Sequence, residues 1–287
     1  MELTRRSGRL AALAVRSSFS PLRRSIVPTI VTLNTWKGDG DYAARLPLMA
    51  EGLAALDADV VCLQECFAAW PGSGADPAAG DGSLADTAAE LARRLDLRLF
   101  HAPARWKPRV FRGAPRPSTS GLAVLTRLAA GPMEVLQLPS DPRDGERIAQ
   151  GLEVRTARAR LRIVNLHLTH LRDAAALRAE QLAAVLARWG GDGTATVLAG
   201  DFNATFDDVA LAPLRSRDDL DVGPAPPAFW PGTLVDRPER AIDHVLLLRG
   251  DGAGLAIAAR RPVLDRPDAA GVHPSDHAGV LVELAPA

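Results

Sequence analysis

The stretch LAGDFNAT at residues 198–205 passes abruptly from an apolar run to a glycine, an acid and an amide. Asp201 and Asn203 therefore read as groups presented at a strand end. The pattern recurs along the chain. Asn34 ends TIVTLN, Glu65 closes VVCLQE, and Asn165, His167 and His170 fall at the end of a run that starts at Leu161. Asp243 opens DHVLLL, and Asp276 with His277 stands just before GVLVEL. Open α/β sheets bind ligands beyond strand ends of this kind. One at a time these residues have plain structural readings: Asn34 as a turn residue, Asp243 as a cap, His167 as a satisfied half-buried histidine. Recurrence at several strand ends is the signal.

The donor types define the chemistry. Glu65, Asp201 and Asp276 offer hard oxygen ligands, which suit Mg²⁺ or Mn²⁺ that keep several waters. Such a cation neutralises a phosphate, polarises its P–O bond or lowers the pKa of a bound water. Asp276 and His277 are adjacent, so in an extended segment they point to opposite sides. One can reach the cation while the other reaches a nucleophilic water. Cys62 and Cys66, in VCLQEC, form neither a disulfide framework nor a zinc pattern and read as small half-buried residues, consistent with a reducing compartment.

These residues need elements to position them. Residues 29–34 are β-rich, and 42–56 place Leu46, Met49, Leu53 and Leu56 on one helix face. A short strand is expected at 60–63 and a Gly- and Pro-rich loop at 71–82. Ser83 and Asp86 suggest a capping box for a helix to Leu95. A strand follows at 97–100, and 101–120 reads as irregular and basic. Strands are expected at 122–125, 151–154, 161–168, 197–199, 242–248 and 279–284, with a helix at 173–189 and a short helix capped by Thr205 or Asp208. Strands outnumber helices and several adjoin through short turns. This predicts an α/β fold of two mixed β-sheets packed together with helices outside, a four-layer α-β-β-α sandwich.

With 287 residues the chain can bury a full core, and its 34 basic and 34 acidic side chains balance. The molecule as a whole sets up no field for nucleic acid or an anionic membrane, so any attraction for phosphate is local. Residues 1–28 differ, with Arg5, Arg6, Arg9, Arg16, Arg23 and Arg24 against Glu2 alone. They read as a disordered basic tail, followed by one catalytic domain over 29–287. The tail's longest apolar run, 10–15, is too short for a signal-peptide core or a membrane span. The expectation is a cytoplasmic monomer with no obligate protein partner, export being the alternative that the paired arginines raise.

The ordered strings LNTW, LQE, GLAVLT, NLHLTH, GDFN, IDHV and PSDH resemble the endonuclease/exonuclease/phosphatase superfamily. That superfamily includes deoxyribonuclease-I-like nucleases, abasic-site endonucleases, bacterial sphingomyelinases and inositol polyphosphate phosphatases. The resemblance spans 29–284 and implies a Mg²⁺- or Mn²⁺-dependent hydrolase of phosphoric esters, a phosphodiester above all. It implies Glu65 as the main metal ligand, with Asn34 and Asp276 completing the site. His277 would deprotonate the attacking water or contact the phosphate, and Asp243 would fix its tautomer. Asp201 would orient the water, Asn203 would bond a phosphate oxygen, and His167 would contact the phosphate with His170 as a second contact. Asn165 is expected at the substrate too.

Departures from the family pattern bear on the substrate. Trp36 stands where many of its nucleases carry an acidic or amide residue, which argues against a second metal near Asn34. His167 in place of tyrosine leans away from the abasic-site enzymes. The stretch HAPARWKPRVFRGAPR at 101–116 holds Arg105, Lys107, Arg109, Arg112 and Arg116 among Trp106 and Phe111. It reads either as a basic lip that clamps an anionic substrate through Arg105 and Lys107, or as a solvated loop with its aromatics in the core. Two other functions stay open: a silent family member acting as a binding scaffold, and a sphingomyelinase-like phospholipase that works on membranes.

Overall fold

The computed structural model describes residues 28–71, 84–156, 159–224, 232–251 and 254–287. The basic tail up to residue 27 and the Gly- and Pro-rich loop beyond Pro71 lie outside the described residues. In chain order the elements are β1 (Thr29–Asn34), α1 (Tyr42–Leu56), β2 (Val60–Ala69), β3 (Ala85–Asp86), α2 (Thr87–Leu95), β4 (Arg98–Pro103), β5 (Lys107–Phe111), β6 (Ala114–Thr126) and β7 (Ala129–Leu138). There follow β8 (Arg147–Arg155), β9 (Arg160–His167), α3 (Ala175–Trp189), β10 (Thr196–Asp201), a 3-10 turn (Val209–Leu211), α4 (Ala212–Arg215), β11 (Leu220–Asp221), β12 (Asp243–Leu248), β13 (Leu255–Val263) and β14 (Gly279–Pro286).

One sheet has the order β13-β14-β1-β2-β6-β4, with β3 on β2 and β5 on β6; the other runs β11-β12-β10-β9-β8-β7. Each holds one parallel pair, β1 with β2 and β9 with β10, among antiparallel neighbours. Both sheets are therefore mixed, as expected. Side chains alternate between faces along a strand, and here both faces are covered. Ile30, Val60, Cys62, Ile163, Val197 and Val245 meet between the sheets. Their neighbours Val31, Leu33, Val61 and Leu63 face α1 and α2, where Met49, Leu53 and Leu91 pack. Val164, Leu198 and Leu246 face α3, against Leu182, Val185 and Trp189. The layers are α-β-β-α. Double burial also explains why these strands read as continuous apolar runs.

The departures from expectation have local causes. Residues 101–120 form the β5–β6 hairpin and the start of a long β6 where an irregular stretch was expected. Asp86 is the N-cap of α2, its carboxylate accepting from the Ala89 amide, because Ala85 and Asp86 are held extended against Ala69 and Ala68; Ser83 lies outside the described residues. Strands β7 and β13, unexpected from the sequence, lie at sheet edges: β7 is half exposed and broken by Gly131 and Pro132, and β13 starts apolar but turns to Arg260, Arg261 and Pro262. Both cysteines are fully buried free thiols, pushed upward in pKa by that burial. Among the described residues no helix is long and apolar enough to cross a membrane.

Gly200 answers to a close approach of backbones. A Cβ there would lie 2.0 Å from the Leu166 carbonyl oxygen of the paired strand β9. Gly200→Ala is expected to destabilise the fold by about 1–3 kcal/mol or more, read as a lowered urea midpoint. An unchanged midpoint would mean that β9 and β10 can separate without loss.

Candidate active site

The face that builds the inter-sheet core turns polar at one end of the molecule. Counting by twos from Ile30, Val60, Leu161 and Val197 leads to Asn34, Gln64, Asn165 with His167, and Asp201. Counting back from Leu247 on the antiparallel β12 leads to Asp243. Asp201 lies directly between His167 and Asp243 in the ladder, and Asn34 lies beside Gln64. The segment before β14 closes over this end: His277 bridges to Leu234, and Ser275 Oγ donates to the Asn34 carbonyl at 2.6 Å.

Around Asp201 the hydrogen bonds are closely set. Its Oδ2 accepts from Asn34 Nδ2 at 3.0 Å and lies 3.4 Å from His167 Nε2, while Oδ1 accepts from the Asn203 amide at 2.8 Å. Burial, reinforced by the Asp243 carboxylate, pushes Asp201 up to about 7. His277 Nδ1 lies 2.8 Å from Asp243 Oδ2, leaving Nε2 toward the cleft. Burial alone would lower the His277 pKa, but Asp243, by charge and hydrogen bond, together with Asp201 and Asp276, raises it to about 10. His167 is held well below its ordinary value by burial and by Arg147 and Lys37, so it is neutral. Asn203 donates Nδ2 to the Leu168 carbonyl at 3.0 Å, which keeps one amide hydrogen and Oδ1 for the cleft.

These groups sit at the floor of a cleft of about 710 Å³. Asn34, Glu65, His167, Asp201, Asn203, Asp276 and His277 line it, as do His170, Arg105 and Lys107 on its walls. Asp243 lies behind His277, buried. Glu65 is brought in by an irregularity: the β2–β6 register shifts between Leu63 and Cys66, and Glu65 takes φ 56°. Trp36, Lys37 and Asn203, also cleft-lining, have positive φ as well. Such backbone strain in non-glycine residues gathers at functional sites.

A divalent cation suits two places here. Glu65, Asp276 and the Asn34 amide oxygen form a hard-oxygen set open to the cleft, and Asp276 is raised in pKa by burial and also by the Glu65 charge. That mutual repulsion is what a cation would relieve. Deeper, Asp201, Asp243 and His277 offer ligand atoms all within 4.8 Å of one another, and Asp243 Oδ1 is buried without a partner among the described residues. Each set has atoms already engaged: His277 Nδ1 with Asp243 in the deeper one, and in the open one Asn34 Oδ1, which accepts from the Trp36 amide, and Glu65 Oε1. Lys37 Nζ, 2.8 Å from Glu65 Oε1, supplies the positive charge there.

One expected contact is corrected. Asn165 is fully buried between the sheets, donating Nδ2 to the Leu63 and Ala123 carbonyls and accepting from Gln64 Nε2. It ties the sheets together and cannot touch a substrate. His170 is exposed at the wall, where it and Arg147 share Asp144. His244 is buried against Phe202 and Phe206 with Nε2 on the Ala204 carbonyl, a packing residue.

The sequence reading missed Arg45. Its guanidinium, buried within α1, donates to the carbonyls of Thr35, Trp36, Lys37, Asp39 and Pro274, and stacks 4.7 Å from the Trp36 ring. Those carbonyls belong to the two loops that carry Lys37 and Asp276. An arginine on an otherwise apolar helix face was the available signal, masked by Asp41 four residues before it, which offers a plain ion-pair reading. Arg45→Met should leave several buried carbonyls without donors and destabilise by at least about 3 kcal/mol, with a shifted Trp emission from Trp36. Arg45→Lys should rescue little, since one ammonium cannot fork to both loops. Wild-type stability in both variants would remove Arg45 from this role.

The sequence matches the Endonuclease/Exonuclease/phosphatase family over residues 31–277. A comparison with curated proteins gives no match. Among solved structures, an endonuclease/exonuclease/phosphatase from Beutenbergia cavernae DSM 12333 is similar at 22% identity and TM-score 0.69, covering 91% of this chain and 72% of that one. D. rerio TDP2 complexed with single strand DNA product has 16% identity and TM-score 0.68, covering 91% and 99%. The human Nocturnin catalytic domain with bound sulfate anion has 18% identity and TM-score 0.63, covering 90% and 94%. At these identities the structures share the fold, and the sequence match over most of the chain is what identifies it: this protein belongs to the endonuclease/exonuclease/phosphatase family.

Proposed function

We propose that the protein hydrolyses phosphoric esters, with phosphodiesters preferred, by attack of a water activated at His277. The reactions in the family's name all break a phosphoric ester bond. The observation that carries the reading is the 2.8 Å contact between Asp243 and His277 at the floor of a cleft lined by Glu65, Asp276, Asp201 and Asn203. Asp243 accepts from Nδ1–H, which fixes the ring, and Nε2 takes the proton of the water once its own is lost. With His277 raised to about 10, turnover should climb with pH through the neutral range, and a cation at the neighbouring carboxylates would lower that value. Asp201, tethered by Asn34 and the Asn203 amide, orients that water, and the free amide hydrogen of Asn203 holds a non-bridging phosphate oxygen. Neutral His167 contacts the phosphate from the opposite wall. Mg²⁺ or Mn²⁺ held by Glu65, Asp276 and Asn34 would neutralise charge on the phosphoryl group.

The test is a panel of bis(4-nitrophenyl) phosphate, single- and double-stranded DNA, sphingomyelin vesicles and an inositol polyphosphate, each with Mg²⁺, Mn²⁺ or EDTA. Turnover is expected with the metals and lost in EDTA. His277→Ala is expected to lower kcat by about 10²–10⁴ with the fold retained, and Asp243→Asn to act in the same direction through the tautomer. Metal-independent turnover, or a His277→Ala effect confined to KM, would sink this assignment. Separately, Glu65→Gln should weaken Mn²⁺ binding in calorimetry by about tenfold or more; unchanged binding would point to the deeper set, Asp201, Asp243 and His277.

A further inference from the structure

The basic residues of the cleft divide by what already neutralises them. Arg143 pairs with Asp141 and Asp173, Arg147 with Asp144, and Lys37 with Glu65. Arg112 stacks on Phe111, and Arg116 donates to the Pro71 carbonyl. Neither Arg112 nor Arg116 lines the cleft. Arg105, Lys107 and Arg109 do line it, and none of the three forms an ion pair with a described residue; Arg105 precedes the strand, whereas Lys107 and Arg109 lie on β5. They are two apart on β5, hence on one face, while Val110 on the opposite face is exposed to solvent.

Arg109 is held in place without being neutralised. Its Nη1 and Nη2 donate to Ser118 Oγ at 3.2 Å and Ser120 Oγ at 3.0 Å on the paired strand β6. Ser118 Oγ in turn donates to the Lys107 carbonyl at 2.9 Å. Glu65 and Asp39 act on Arg109 only through space, beyond ion-pair distance. Lys107 is lowered in pKa by burial and then by Arg109, Lys37 and Arg147, as crowded like charges require. Two cations on one strand face, the guanidinium held only by neutral hydroxyls, are costly to keep together unless an anion joins them, and a phosphoryl group suits a forked guanidinium.

We propose that Lys107 and Arg109 form a second anion subsite beside the hydrolytic floor, so that the preferred substrates carry a second phosphoryl group near the ester that is cleaved. This rests on the phosphoric-ester reading for its meaning, and the subsite can be measured without turnover. It favours bisphosphates and polyphosphorylated esters over diesters with a neutral or cationic headgroup.

The test is calorimetric titration, in EDTA at low ionic strength, with methylphosphonate and with alkane bisphosphonates of one to four methylene groups, none of them hydrolysable. At least one bisphosphonate should bind about tenfold or more tightly than methylphosphonate. Lys107→Gln/Arg109→Gln should bring that ratio to near one, and the single Lys107→Gln, at an exposed strand position, should lower it partway. Arg112→Gln, which removes the same charge from the hairpin tip outside the cleft, should leave the ratio intact. A ratio near one in the wild type, or an undiminished ratio in the folded double variant, overturns the subsite even in an active hydrolase. A preference that depends on Lys107 and Arg109 in a protein without turnover upholds the subsite and sinks the hydrolase.

Discussion

The site depends on one constraint, the strict alternation of side chains along strands that are buried on both faces. With helices outside and a second sheet inside, each strand has no solvent face on which to place a polar group. A polar residue on the inner face is tolerated only where the inter-sheet core ends and partners are at hand. Asn34, His167, Asp201 and Asp243 all stand there, the last three in register across β9, β10 and β12, with Asn34 donating to Asp201 from the other sheet. Gln64 and Asn165, one step deeper, show the requirement in its bare form. Fully buried, Gln64 donates to Asn165, and Asn165 donates to the carbonyls of Leu63 and Ala123, with only Gln64 Oε1 left without a partner among the described residues.

The strands deliver residues to one end, but loops complete the site. Arg45 holds two of these loops by donating to five carbonyls, so the β1–α1 turn and the segment before β14 share one anchor. Ser275 adds a second tie, from its hydroxyl to the Asn34 carbonyl. Thr233 adds a third, its Oγ1 accepting from the amides of Ile242 and Asp243 while its carbonyl accepts from Ala278. Positions with left-handed backbone, Trp36, Lys37, Glu65 and Asn203, lie within this tied region. Rigid support of this kind is what keeps such conformations populated and aims side chains without reorganisation.

Charge in the cleft is arranged in depth. At the floor, burial first and then the neighbouring carboxylates raise Asp201 and Asp276, and His277 answers with a raised pKa of its own. At the walls, Arg143 and Arg147 are already matched to aspartates, and Arg105 and the hairpin cations Lys107 and Arg109 are not. Neutral net charge over the chain therefore conceals a local polarity, acidic at the base and basic above it. That is the order in which a cation and then an anionic ester would be received.

Much of the fold was legible because doubly buried strands leave an unmistakable trace. Runs such as TIVTLN and TVLAGD can sit only inside a sandwich, and their polar ends marked most of the cleft floor before any coordinates. The ordered strings from LNTW to PSDH likewise fixed the family, which the match over 31–277 bears out. Edge strands β7 and β13 left a weaker trace, the first interrupted by Gly131 and Pro132 and the second by Arg260, Arg261 and Pro262. Nor could sequence separate Asn165 from His167, two residues apart on the same face; only the depth of each between the sheets makes one a tie and the other a wall of the cleft. The Glu65 bulge, the five-carbonyl anchor at Arg45 and the unpaired state of Lys107 and Arg109 are likewise tertiary facts. Each depends on which distant backbone or side chain lies opposite, and residue type and spacing along one chain do not contain that.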